Sequence, residues 1–241
     1  MMTFWKMAYP NASKDWVGSG SYMAQVNGAI KGYGATNCGS IQPITTLEEI
    51  HNKILTLGAS AYNAPVYAYS DRPTINKNTH EQYIDTRVQT TNHLVIDVDS
   101  LHLDVVSPYD LVEIGKKYTE HLHKVVPEFF DEDMSFVIVA SGSMWKDVSK
   151  LKFHIHFLLE QPTTILHMKQ FISSYPEIAG DPAIYSAARL LLCAPPKNST
   201  LSADLLDMNN RVKIHIGRNT LVKNVHNLMP CMPSKANADF R

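Results

Sequence analysis

Asn92-His93-Leu94-Val95-Ile96-Asp97-Val98-Asp99-Ser100 is an apolar strand pattern that ends in two aspartates two positions apart. Successive strand side chains alternate between faces, so Asp97 and Asp99 project from the same side as neighbours. Two carboxylates at that spacing repel one another, and a divalent cation is the usual reason to keep them together. Mg²⁺ and Mn²⁺ favour hard oxygen ligands and often complete their shell with substrate phosphates. The plain alternative is a strand end that carries two solvated acids.

Two further segments add to the pair. In Leu151-Lys152-Phe153-His154-Ile155-His156-Phe157-Leu158-Leu159, a second strand pattern puts His154 and His156 on one face and Phe153, Ile155 and Phe157 on the other. Gly180-Asp181-Pro182-Ala183-Ile184-Tyr185 places a third acid after a helical stretch, with Arg189 eight residues beyond it. An acid pair, a strand histidine, a third acid and an arginine, in that order, form a rarer combination than any one part. Each part also has an ordinary reading. A lone strand histidine is commonly a satisfied structural group, and an Asp before Pro often only initiates a turn. Arg189 fits a surface ion pair equally well, and Tyr185 reads as packing.

On these residues the chain resembles the catalytic domain of archaeo-eukaryotic-type primases, the primase–polymerase group common in phages, plasmids and large DNA viruses. Three family motifs have matches: the hydrophobic-Asp-x-Asp strand from Leu94 to Asp99, a strand histidine followed by apolar residues in His154-Ile155-His156-Phe157-Leu158-Leu159, and the late acid Asp181. Asp181-Pro182-Ala183-Ile184-Tyr185 and Ala194-Pro195-Pro196 look closest to the phage and plasmid branch. The match spans about residues 90–197. The family often has a small residue two positions before its histidine, and Lys152 stands there if His154 is the motif residue. If His156 is the motif residue, His154 stands there. The Ile-His-Phe-Leu-Leu that follows favours His154.

The resemblance implies a DNA primase–polymerase that joins ribo- or deoxyribonucleotides on a single-stranded DNA template. Such a nucleotidyl transferase uses an acidic cradle for two Mg²⁺ or Mn²⁺ ions, and Asp97, Asp99 and Asp181 would form it. His154 would meet the triphosphate of the incoming nucleoside triphosphate, with His156 or Lys152 as a neighbour. Arg189 can bind phosphate oxygens bidentately. Ser141-Gly142-Ser143 follows the apolar strand Phe136–Ala140, so its hydroxyls and amides are placed to meet phosphates; a turn that uses Gly and Ser for its geometry is the simpler account.

The chain has 241 residues, of which 44% are hydrophobic, enough for one elaborated domain or two lobes. The N-terminus is unlike a signal peptide and no apolar run reaches about 18 residues, so the expectation is a cytoplasmic protein without membrane insertion. Cys38, Cys193 and Cys231 are odd in number and far apart, which gives neither a disulfide framework nor zinc spacing. The net charge is −1, unexpected for a nucleic-acid binder. Residues 146–241 hold 12 Lys and Arg against 7 acids, whereas residues 1–145 hold 10 against 16. A basic second half is compatible with a template on one side only.

Coarse patterning predicts an α/β (α+β) protein. Thr46 with Glu49 makes a capping box for a helix through Leu47, Ile50, Ile54 and Leu57, stopped at Gly58. Pro65–Tyr69 reads as a strand. Ser107 with Pro108 predicts a helix start running to about Val126. Strands at 136–140 and 152–159, a helix at about 163–174, and strands at 189–193 and 211–216 complete the reading. The resemblance implies a core like an RNA-recognition motif, an antiparallel sheet with helices on one face, over residues 91–230. Residues 1–90 would be an N-terminal α/β lobe, and 231–241 a polar tail or a linker to a helicase.

His154-Ile155-His156 also looks like the His-hydrophobic-His motif of rolling-circle replication initiators and relaxases. Those single-strand nucleases bind a metal through both histidines and attack DNA with a tyrosine, in the initiators usually with a lysine three residues later. Tyr175 is followed at that spacing by Ile178 and Tyr185 by Ala188, so the pair is missing, and Asp97 and Asp99 go unexplained. A non-catalytic nucleic-acid-binding module is the third reading.

Overall fold

A computed structural model describes residues 2–7, 14–15, 20–21, 35–41, 43–57, 61–62, 90–185, 191–196 and 199–223. In chain order its strands are β1 (Met2–Met7), β2 (Lys14–Asp15), β3 (Gly20–Ser21), β4 (Ala35–Ile41), β5 (Ala61–Tyr62), β6 (Thr91–Leu101), β7 (Phe136–Ala140), β8 (Leu151–Thr163), β9 (Leu191–Leu192), β10 (Val212–His215) and β11 (Leu221–Val222). The longer helices are α1 (Leu47–Thr56), α2 (Leu111–Val125) and α3 (Ile165–Ser174). Short 3-10 turns cover Pro176–Ile178 and Pro182–Tyr185.

The Asp-bearing strand belongs to an open, mainly antiparallel sheet in the order β10-β7-β8-β6. Asp97 lies opposite His154 and Val95 opposite His156 on one side of β8, while Val139 and Val137 face the same histidines from β7. The strand β11 runs parallel to β8 at Leu158 and Leu159. Since β6 already pairs with Leu158 through His93, β11 takes the edge that β7 vacates.

Alternation gives this sheet one apolar face, and aromatic packing fixes what covers it. The Phe153 ring meets Tyr118 of α2 edge-on at 5.3 Å, and Phe157 meets Phe130 at 5.2 Å. A side chain at Gly115 of α2 would run into the Phe136 ring, so helix and sheet approach closely there. Burying each such aromatic is worth about 2–3 kcal/mol. The fold is therefore α+β, with α2 and α3 on the face opposite the histidines.

Helix starts follow local chemistry. Thr46 and Glu49 cap α1 reciprocally, as the sequence predicts. The second helix departs from expectation. It begins at Leu111, with Asp110 accepting from the amides of Val112 and Glu113. Ser107 and Pro108 instead form a turn in front of it, closed by Asp110 N–H on the Ser107 carbonyl and braced by Glu113 accepting from Val106 and Ser107. A carboxylate that satisfies two amides outcompetes the upstream serine.

A second sheet has the order β4-β1-β5-β9, with antiparallel pairing throughout. Its last strand, Leu191–Leu192, comes from beyond residue 90, and α1, from before it, packs on β7, β8 and β10. The two sheets thus exchange elements across the expected lobe boundary. The expected strand at Pro65–Tyr69 and the tail 231–241 lie outside the described residues. Among the described residues, no helix is long and apolar enough to cross a membrane.

The outer edge of β6 is closed by the segment after α3. Gly180 forms an antiparallel bridge to Val98, the Asp181 amide donates to the Asp97 carbonyl at 2.9 Å, and the Tyr185 hydroxyl joins both the amide and the carbonyl of Val95. A Cβ on Gly180 would sit 2.8 Å from a methyl of Ile96 and 3.0 Å from one of Ile172, so only glycine lets this segment lie against the strand. Gly180→Val is expected to lower stability by about 1–3 kcal/mol in urea unfolding, with the slope of the transition unchanged.

Candidate functional site

Strand register, and then one edge bridge, assemble the acids. Asp97 and Asp99 are two apart on β6 and share the face that carries His154. Asp181 arrives from the other side because its own amide is tied to the Asp97 backbone. One ligand oxygen from each of Asp97, Asp99 and Asp181 lies within 4.8 Å of the others. These three carboxylates could hold a metal ion between them. An all-oxygen, anionic donor set suits Mg²⁺ or Mn²⁺ better than softer ions.

Two cationic or hydrogen-bonding groups border the acids. His154 brings Nε2 to 3.6 Å from Asp97 Oδ1, and Lys152 brings Nζ to 3.9 Å from Asp99 Oδ1. The first pair is largely out of water, with exposures of 4% and 17%, while Asp99 is 60% exposed. The pocket thus has a buried end at Asp97 and an open end at Asp99.

Behind His154 runs a chain of buried polar groups. The Tyr62 hydroxyl of β5 lies 2.7 Å from His154 Nδ1 and 3.1 Å from His156 Nε2. His156 Nδ1 lies 2.9 Å from His93 Nε2, with the two ring planes only 2° apart. His93 Nδ1 is buried and has no hydrogen-bond partner among the described residues. Burial pushes His93 down to about 3 and, helped by the neighbouring imidazoles, His156 well below its ordinary value, so both are neutral. Burial, with Cys193 and Asp97 nearby, holds the Tyr62 hydroxyl protonated.

The structure separates the two histidines of the strand motif. His154 reaches the acids. His156 is fully buried, and both its nitrogens are engaged by Tyr62 and His93. It therefore has no free nitrogen for a phosphate, nor for the two-histidine metal site of the nuclease reading.

The Ser141–Ser143 turn lies at the Lys152 end of the sheet, since the Ser141 amide donates to the Lys152 carbonyl. Ser141 is buried and its Oγ accepts from the Ser143 amide, so that hydroxyl serves the turn. Arg211, fully buried, holds the same turn by donating to the carbonyls of Ala140 and Ser141, with Trp145 beneath its guanidinium. Arg189 lies outside the described residues.

Sequence reasoning missed Tyr62, His93 and Arg211. His93 had a signal: it shares strand parity with Asp97 and Asp99. Tyr62, in a two-residue strand, and Arg211 had none.

Comparison with family models, with curated proteins and with solved structures found no match to the chain.

Two outcomes follow from this geometry. Asp181→Asn is expected to weaken Mn²⁺ binding about tenfold or more, read by titration calorimetry. The second concerns pH. His93 and His156 take up protons near 6.5 when unfolded but stay neutral when folded, so the unfolded state binds more protons as pH falls. Stability is full above about pH 6.5 and declines below it, by about 2 kcal/mol per histidine at pH 5. His93→Gln should remove about half of that decline in urea titrations at pH 8 and pH 5.

Proposed function

We propose that this protein is a primase–polymerase of the archaeo-eukaryotic type, which joins nucleoside triphosphates on single-stranded DNA. The observation that carries the reading is the convergence of Asp97, Asp99 and Asp181 from two distant segments, with His154 3.6 Å and Lys152 3.9 Å from the first two acids. Carboxylates beside a hydrogen-bonding imidazole and a lysine suit a metal–triphosphate ligand better than either a bare cation or a bare anion. The order strand, helix, strand, strand, helix in β6-α2-β7-β8-α3, with Gly180 bridged to β6, supports a core like an RNA-recognition motif.

In this reading the acids would hold Mg²⁺ or Mn²⁺, which when bound would lower the pKa of the attacking 3′-hydroxyl and stabilise the negative charge on the leaving pyrophosphate. The protein's own part is positioning and charge. His154 donates toward phosphate oxygen from the buried end of the pocket. Lys152, at the open end, offsets the negative charge of Asp99 and of the polyphosphate. Arg189 is assigned a phosphate contact on sequence grounds alone. A single-stranded template, and a helicase partner or fused helicase, belong to the same proposal, as does a phage or plasmid replication setting.

The test is nucleotide incorporation on single-stranded DNA with Mg²⁺ or Mn²⁺, from both NTPs and dNTPs. Asp97→Ala/Asp99→Ala should lose activity roughly a hundredfold or more while remaining folded. Equal product from wild type and variant would remove the acids from the chemistry. Template cleavage with a covalent tyrosine adduct would favour the nuclease reading.

A further inference from the structure

Two loops leave the sheet at the open end of the pocket. One follows Asp99 and Ser100 on β6 and runs from His102 to Asp110. The other, residues 141–150, leads into β8 and stops two residues short of Lys152; the two strands are paired there at Leu101 and Leu151. Trp145 ties the loops together, for its indole N–H donates to the Pro108 carbonyl at 2.6 Å and the Tyr109 ring lies 6.1 Å away. Trp145 has φ 68°, in the left-handed region that a bulky side chain seldom adopts. The Pro108 bond and the Arg211 guanidinium, 5.4 Å from the indole centre, hold it there. Backbone strain of this kind persists where the surroundings over-determine it, and it gathers at functional sites.

The pinned loops present apolar groups and cations together. Of the five large apolar side chains exposed among the described residues, three are here: Val106 at 96%, Tyr109 at 48% and Val148 at 49%. Residues 146–150 are all exposed, and Lys146 and Lys150 flank Val148 in the chain. The acids of the loops are engaged locally. Asp147 accepts from the amide and hydroxyl of Ser149, Asp110 accepts from two amides of α2, and Asp104 acts on Lys117 of the same helix. Lysines set among an exposed ring and small apolar side chains suit an extended polyanion that carries flat apolar bases. A folded protein partner would instead ask for a contiguous apolar patch, and here charge interrupts it.

We infer that this pair of loops is a landing surface for single-stranded nucleic acid, with Tyr109 stacking on a base and Lys146 and Lys150 meeting phosphates beside the open end of the pocket. Lys150 precedes Lys152 by two residues, about 7 Å of extended chain, so the lysines mark a path from the loops to Asp99. Trp145 and Arg211 are positioning residues: they hold the two loops together from beneath, and both are buried. Strand binding follows from the loops themselves; that the strand is the template of a polymerase rests on the primase–polymerase reading.

Fluorescence anisotropy of a labelled oligothymidylate of about 16 nucleotides, titrated with the full chain in the absence of nucleotide and metal, reads this binding directly. Tyr109→Ala is expected to weaken it about tenfold and Tyr109→Phe to restore it, because stacking needs the ring and not the hydroxyl. Lys146→Gln/Lys150→Gln should weaken binding at low salt and flatten the slope of log affinity against log salt by about 1.4. Lys116→Gln/Lys124→Gln, which changes two exposed lysines of α2, should keep the wild-type affinity and slope. Unchanged affinity in either Tyr109→Ala or the loop-lysine pair overturns the inference, as does an equal loss from the α2 pair, which would mean diffuse charge attraction. A wild type that does not bind the strand overturns it too and leaves the patch to a protein partner. Strand binding through these residues in a protein without incorporation activity would sink the polymerase reading and leave the surface standing. An active wild type whose strand affinity is unmoved in the loop variants would overturn the surface alone.

Discussion

Asp97 is held through its backbone before its carboxylate does anything. On one side its residue pairs across the strands with His154, and on the other its carbonyl accepts from the Asp181 amide. Both neighbours that define the pocket are therefore set by main-chain contacts to one residue. A slip of one position between β6 and β8 would turn Asp97 and Asp99 to the apolar face and bring Leu94, Ile96 and Val98 onto the polar one. The packing of Phe153 and Phe157 against Tyr118 and Phe130 opposes that slip. The aromatic layer on one face thus fixes the geometry of the acids on the other.

The electrostatics grade from one end of the pocket to the other. Three carboxylates close together repel, and Asp97 sits against a nearly buried imidazole. Asp99 is more than half exposed and faces a lysine across 3.9 Å, a pair that water screens strongly. A cation would relieve the repulsion most where solvent helps least, beside Asp97. The neutral histidines further in carry no charge that would compete for it.

Much of this was legible in the sequence because it depends on period-two alternation. That rule put Asp97 with Asp99 and His154 with His156, and the structure keeps both pairs on a single face. It could not rank the two histidines, since rank depends on what lies above the strand, and Tyr62 comes from a segment 92 positions away from His154. The capping box at Thr46 was readable because its partners are three residues apart. The start of α2 was not, because Ser107 and Asp110 are both competent caps and the choice turns on Glu113 bracing the loop between them. Asp181 was marked by type and order alone. Its delivery depends on an unusually close approach at Gly180, which no periodicity encodes.

The late strand that completes the second sheet has a kinetic side. The β5 strand pairs with Leu191–Leu192, so its hydrogen bonds close a loop of well over a hundred residues. Such pairings are entropically slow to nucleate and come late in assembly. The helix-backed sheet, built mostly from residues between 91 and 174, can condense first from shorter loops. Until Tyr62 docks, the imidazoles on its bare face would be hydrated and free to take up protons. The last folding event is then also the one that dries this face and settles its proton arrangement, so the maturation of the pocket waits on the slowest contact in the chain.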